Sequence, residues 1–244
     1  MESSSPVIDI ENLSFSWKQG GEQLLQIAKL QVSPGERVFL RGPSGSGKST
    51  LLSLVAGVNR LQSGRLSILG KDLTAMNSVE RDLFRSGHIG FIFQMFNLIP
   101  YLSVIENVTL PCRFSSKRKH KALASAASLG DEAVRLLDHL DMAHDGLLQK
   151  PVNELSVGQQ QRVAAARALI GAPELVIADE PTSSLDAERR EAFIDLLFRE
   201  CKSSGATMIF VSHDNTLAAP FDRTIELTEL NQVAAAASPM QTVS

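Results

Sequence analysis

The sequence predicts an α/β fold built on a mainly parallel sheet. Two patterns carry this reading. Short apolar runs alternate with segments of helical periodicity along most of the chain, and a glycine-rich turn separates one such run from the helix that follows it. The 244 residues are 43% hydrophobic and 21% charged. That is enough for one large domain with a substantial core, and it excludes disorder for most of the chain. Lys and Arg number 24 against 27 Asp and Glu, a net charge of −3, which does not mark a nucleic-acid binder.

Taken in order, residues 7–13 alternate apolar and polar side chains, as a half-buried strand does, and residues 24–32 do so less cleanly. Residues 37–40 form a short buried strand that enters the glycine-rich turn, and residues 48–55 continue as a helix. Residues 89–93 are another apolar strand. A helix is expected over residues 131–140, with Asp131 as its N-cap and Val134, Leu136 and Leu137 at helical spacing. Residues 175–178 form a strand after Pro173. Residues 187–201 read as an amphipathic helix, because Ile194, Leu197, Phe198 and Cys201 fall at i, i+3, i+4 and i+7. Residues 208–211 make a further buried strand. Such alternation implies a sheet covered on both faces, with functional loops at the C-terminal ends of the strands.

Residues 115–128, rich in Lys, Ser and Ala, and the tail from Asn231 read as solvated surface. The opening residues are polar and are not expected to act as a signal peptide. No run of 18 or more apolar residues appears, so no membrane span is expected. Cys112 and Cys201 lie far apart without a Cys/His cluster, which argues against a disulfide framework or a zinc site and for a reducing compartment.

Three motifs carry chemistry. The first is Gly42-Pro43-Ser44-Gly45-Ser46-Gly47-Lys48-Ser49-Thr50, placed between a strand and a helix. Its glycines let the backbone wrap phosphate oxygens, while successive N–H groups and the helix N-terminus stabilise negative charge. Lys48 is placed to reach the β- and γ-phosphates of ATP, and Ser49 to ligate Mg²⁺. In the second motif, residues 175–181, an apolar strand delivers two carboxylates at its end. Asp179 suits Mg²⁺ and Glu180 suits polarisation of the attacking water. The third is Leu155-Ser156-Val157-Gly158-Gln159 before an Ala-rich helix. Ser156 can cap that helix and Gly158 permits close backbone approach, making a second anion site. One ATP does not need two cradles in one chain, so this site is expected to serve the ATP of a partner subunit.

In the order and spacing of these motifs the chain resembles the ATP-binding-cassette family over roughly residues 6–230. Residues 155–159 resemble its Leu-Ser-Gly-Gly-Gln signature, with Val157 in place of the first glycine. The resemblance implies a P-loop NTPase core, an N-terminal antiparallel β subdomain, a helical signature subdomain near residues 95–170, and a flexible tail over residues 231–244. It places Gly42, Ser44, Gly45, Ser46, Gly47, Lys48, Ser49 and Thr50 on one ATP, with the segment of Ser156, Gly158 and Gln159 closing on it from a second subunit, where Ser156 and Gly158 meet the γ-phosphate. Trp17 matches the aromatic residue that stacks on adenine, with Phe15 as the alternative. Gln94 matches a glutamine contacting Mg²⁺ and the water, His213 the switch histidine, and Asp186 the acid of a loop, residues 183–186, that crosses the dimer interface.

Residues 90–100, 106–111 and 159–163 further resemble a bacterial subfamily that includes macrolide-exporter, lipoprotein-releasing and cell-division ATPases. That resemblance implies a second ATPase copy, a permease with a large extracytoplasmic domain, and a place on the cytoplasmic face of the cell membrane. The surface near residues 95–110, with Met95, Phe96, Leu98 and Tyr101, is then expected to meet the permease. Gating of an extracytoplasmic process without transport uses the same motor and stays open. A cassette acting on nucleic acid or ribosomes is disfavoured, because tandem cassettes and long coiled-coil insertions are absent.

Overall fold

The computed structural model describes residues 5–18, 20–142, 146–183, 185 and 187–233. Strand β1 (Ile8–Phe15) pairs antiparallel with β2 (Leu25–Val32). Strand β3 (Arg37–Arg41) leads through the glycine-rich turn into α1 (Lys48–Val55). Strands β4 (Ser63–Ile68) and β5 (Lys71–Asp72) return to the first sheet, whose order is β2-β1-β4-β5. Helix α2 (Ser78–His88) then runs directly into β6 (Ile89–Ile92).

A helical stretch separates β6 from the next strand. It comprises α3 (Val104–Thr109), α4 (Pro111–Phe114), α5 (Ser116–Ser125), α6 (Leu129–His139) and α7 (Val157–Leu169). The chain finishes with β7 (Leu175–Asp179), α8 (Ala187–Ser204), β8 (Thr207–Val211), β9 (Arg223–Glu226) and α9 (Leu227–Leu230). The second sheet is parallel throughout, in the order β6-β7-β8-β3-β9.

Two cores flank the parallel sheet. In β3, Val38 and Leu40 join a core that includes the antiparallel strands and α1, while Phe39 joins the core formed with the helical stretch. In β7, Leu175 and Ile177 face the first core, and Val176 and Ala178 the second. Burial on both faces is why these strands read as continuous apolar runs. Strand β1 keeps one buried face across a bulge. Asn12 takes φ 49°, the pairing with β4 shifts between Glu11 and Ser14, and Leu13 and Phe15 stay in phase with Ile8 and Ile10.

The structure corrects several expectations. Residues 115–128 are not merely solvated surface: most of them form α5, capped by the Ser115 hydroxyl, which accepts from the Arg118 N–H at 3.2 Å. Arg118 and Ala122, four residues apart, are 2% and 1% exposed. Lys117 and Lys121 on the adjoining face bind the Glu174 carboxylate at 2.9 and 2.8 Å, tying α5 to the start of β7. Composition alone misled because the cations have a partner far away in sequence.

Helix α6 starts two residues before Asp131, and its cap is Ser128, which accepts from the Asp131 N–H at 3.1 Å. The tail does not begin at Asn231. That residue is 2% exposed, and its side chain bonds Gln26 N and Leu24 O at 2.8 and 2.9 Å. Residues 234–244 lie outside the described residues. The expected division into a mainly parallel sheet and an N-terminal antiparallel β subdomain is borne out, with both N-terminal strands in the separate antiparallel sheet.

Candidate nucleotide site

The C-terminal ends of β3, β7 and β8 open toward one cavity of about 650 Å³. Ser44, Gly45, Gly47, Lys48, Ser49 and Thr50 line it from the turn after β3. Asp179 and Glu180 enter from β7, His213 from the loop after β8, and Gln94 from the loop after β6. Trp17 and Leu24 close it from the antiparallel sheet. Parallel strands feeding loops to one edge bring together residues nearly 200 positions apart.

The turn depends on its glycines. Gly45 and Gly47 hold φ 79° and 100°, in the region that disfavours side chains. A Cβ on Gly47 would also stand 2.7 Å from Leu25 Cδ2. Gly42 and Ser46 shape the turn without lining this cavity: a Cβ on Gly42 would meet Ser46 Oγ at 3.0 Å. Lys48, 8% exposed, donates its Nζ to Gly42 O and Pro43 O at 2.8 and 3.0 Å. Its charge is therefore held against the backbone of the glycine-rich turn.

Burial, aided by the neighbouring Glu180 charge, holds the Asp179 carboxyl above its ordinary value, while the Ser49 hydroxyl and Lys48 draw it down. Glu180 stands next to it at φ 46°, its N–H bonded to Val211 O at 3.0 Å. A non-glycine residue in that region is strained and is held there by its surroundings. Glu180 Oε2 lies 3.1 Å from His213 Nδ1, so acid and histidine are already paired.

Trp17 is 63% exposed, and its ring meets Phe15 edge-on at 5.3 Å. Phe15 is 5% exposed and belongs to the core beneath, so of the two candidates only Trp17 presents a ring to the cavity.

Ser156, Gly158 and Gln159 do not line this space. They line a second cavity of about 290 Å³ that has no residue in common with the first. Ser156 caps α7: its Oγ accepts from Gln159 N at 3.3 Å, and Gln159 Oε1 accepts from Ser156 N at 2.9 Å. Val157 is 51% exposed beside them. Among the described residues, a Cβ on Gly158 would find only Leu185 Cδ2, at 3.9 Å, so none of them requires a glycine there. Asp186 lies outside the described residues.

Three positioning side chains have no signature in sequence spacing. Arg190 on α8 donates to Leu185 O at 2.8 Å and pairs with Asp214, linking the loop after Glu180 to the loop of His213. Arg167 donates to Phe96 O and Asn97 O at 2.5 and 2.6 Å. Asn107, fully buried, accepts from Ile99 N at 2.8 Å and donates to Ile99 O at 3.1 Å. Arg167 and Asn107 together pin the loop after Gln94. On that loop Met95 and Tyr101 are 81% and 80% exposed, but Phe96 is half-buried and Leu98 packs against the core, so the expected apolar surface is smaller than the sequence implied.

The family profile described as "ABC transporter" matches residues 25–183. A lipoprotein-releasing system ATP-binding protein, LolD, of Porphyromonas gingivalis is 37% identical over 223 residues, covering 91% of this chain and 97% of that protein. An uncharacterised ABC transporter ATP-binding protein, YbbA, of Escherichia coli is 40% identical over 229 residues, covering 91% and 94%. Among solved structures, the dimeric post-hydrolysis state of the ATP-binding cassette MJ0796 bound to ADP and phosphate superposes with a TM-score of 0.78 at 35% identity, covering 93% of this chain and 95% of that one. With the phosphate loop, the paired acids and the helix-capping signature in place, the chain belongs to the ABC transporter family, as one of its ATP-binding and ATP-hydrolysing cassettes.

Proposed function

We propose that two copies of this chain bind ATP head to tail and drive a membrane permease of the export or mechanotransmission type from the cytoplasmic face. The observation that carries the shared site is the separation of the two anion cradles. The loop of residues 42–50 and the segment of residues 156–159 line different cavities of one chain. Among the described residues only Leu185 comes within 4 Å of a Cβ at Gly158, as expected where a second molecule must approach closely. The dimeric neighbour and the relatives named for lipoprotein release support the same reading.

Within each site, Trp17 offers a π-face to adenine. The N–H groups of residues 44–50 and Lys48 neutralise the phosphates. The Ser49 hydroxyl, the Asp179 carboxylate and the Gln94 amide are hard oxygen donors that fit Mg²⁺. Asp179 is a carboxylate whose ionised form burial disfavours, and a cation there would offset that cost. When bound, Mg²⁺ supplies positive charge against the β- and γ-phosphates.

Glu180 accepts a proton from water as that water attacks the γ-phosphorus. The bond from that phosphorus to the bridging oxygen breaks, ADP leaves, and phosphate is released. His213, 3.1 Å from Glu180, orients the carboxylate and reaches the γ-phosphate. Asp186, outside the described residues, is assigned to the dimer interface by the family resemblance alone.

Mixing tests the shared site. Lys48→Ala disables the loop, and Ser156→Arg places a cation where the partner's phosphate belongs. Each homodimer then has two faulty sites, whereas the mixed dimer concentrates both faults in one site and leaves the other intact. ATPase activity should return on mixing. An ATP-bound structure with residues 42–50 and 156–159 of one chain on the same nucleotide overturns the reading.

A further inference from the structure

Arg190 stands in the first turn of α8 with its side chain half-buried. Its Nε donates to Leu185 O at 2.8 Å, and its Nη1 donates to the Asp214 carboxylate. Leu185 lines the second cavity, together with Ser156, Gly158 and Gln159. Among the described residues it is the one that comes within 4 Å of a Cβ at Gly158, so a group seated at the start of α7 meets Leu185. Asp214 directly follows His213, which lines the nucleotide cavity 3.1 Å from Glu180. The two cavities have no residue in common, yet one guanidinium is bonded toward both.

Both of its attachments are anchored beyond the contact. Asp214 Oδ1 accepts from Thr216 N and Oγ1 at 3.1 and 2.6 Å, and Asp214 N donates to the buried Ser212 Oγ at 3.1 Å. The Thr216 bonds, with the Arg190 charge adding to them, hold the Asp214 carboxyl below its ordinary value. Leu185 packs its side chain on the core of the helical stretch, and its N–H donates to Thr182 O at 3.1 Å. Thr182 lies two positions after Glu180. A guanidinium is planar and rigid, so Nε and Nη1 hold their two acceptors at a fixed spacing. A displacement of Leu185 is therefore passed to Asp214 and, through the adjoining peptide, to His213.

We propose that Arg190 is a positioning residue that couples the two half-sites of one chain. A nucleotide held by the second copy, on meeting the start of α7, shifts Leu185, and Arg190 carries that shift to His213 and Glu180. Turnover at one site then depends on occupation of the other. This rests on the shared-site reading above and adds the link between the sites.

The test is the steady-state ATPase rate of the full chain against ATP concentration. The wild type should give a Hill coefficient above 1, with a ceiling of about 2 for two sites. Arg190→Lys keeps the charge but replaces the fork with a point donor, which does not hold Leu185 O and Asp214 at a fixed spacing. It should fold as the wild type does and keep half-saturation by ATP within about twofold. Its kcat should fall about tenfold or more, as expected for misplaced reacting groups, and its Hill coefficient should drop to about 1. Arg190→Met should behave in the same way, and the Lys variant guards against misfolding of the Met one. Arg199→Met, at an exposed cation of the same helix, should change neither quantity. Adding Asp214→Asn to Arg190→Met should lose no more than Arg190→Met alone, because both changes cut one link.

A wild type without cooperativity, unchanged kcat and Hill coefficient in both Arg190 variants, or additive losses in the double variant overturns the proposal. The mixed-dimer assay contains no Arg190 variant, so its failure counts against the shared site. Restored activity on mixing, with cooperativity intact in Arg190→Lys, counts against this link alone.

Discussion

Glu180 is the residue on which turnover depends in this account. Its backbone is held at φ 46° by the bond to Val211 O, and its carboxylate is paired with His213. Glu180→Gln keeps the shape and removes the proton acceptor. ATP binding should persist while turnover falls by about 10²–10⁴, measured as steady-state phosphate release. Near-normal turnover would remove Glu180 from its role.

Asp179 makes a different prediction. Its folded pKa is raised, so the folded chain holds the proton more tightly than the unfolded chain. The associated stability is complete below the unfolded value and lost as pH rises through the raised one, so the full penalty is present at pH 7. Asp179→Asn should therefore raise the melting temperature of the nucleotide-free chain at pH 7 and have little effect at pH 3, while abolishing Mg²⁺-dependent hydrolysis. A lowered melting temperature at pH 7 would contradict the burial argument. These residues were legible in sequence because each follows an apolar strand or a glycine pattern. Arg190, which joins the Glu180 and His213 loops, was not, because its partners depend on how α8 packs.

At the scale of elements, the loop after β6 is held from outside itself. Phe96 and Asn97 take φ 59° and 50°, and their carbonyls are capped by Arg167 on α7. Asn107 on α3 satisfies both backbone groups of Ile99 and donates to Leu102 O and Ser103 O as well. Asn107→Ala should cost about 1–3 kcal/mol, because Ile99 N–H is left buried without a partner. Chemical denaturation measures this, and a change within error would show that the loop does not depend on Asn107.

The same scale explains what the sequence hid. Helix α5 looked like a polar linker because its buried face carries Arg118 where a leucine would signal a core. Strand β4 begins with three exposed residues, so it showed no apolar alternation. Strands β3, β7 and β8, buried on both sides, were legible for the opposite reason.

At the scale of the whole molecule, the turn after β3 and the start of α7 line two separate cavities with no residue in common. No helix among the described residues is long and apolar enough to cross a membrane. The most direct test of the shared site is the mass of the Glu180→Gln chain in solution, by light scattering, with and without Mg-ATP. This variant should bind ATP and stall before hydrolysis. The account predicts a monomer without nucleotide, a dimer with Mg-ATP, and a monomer again when Ser156→Arg is added. A stalled variant that binds ATP and remains monomeric would contradict it.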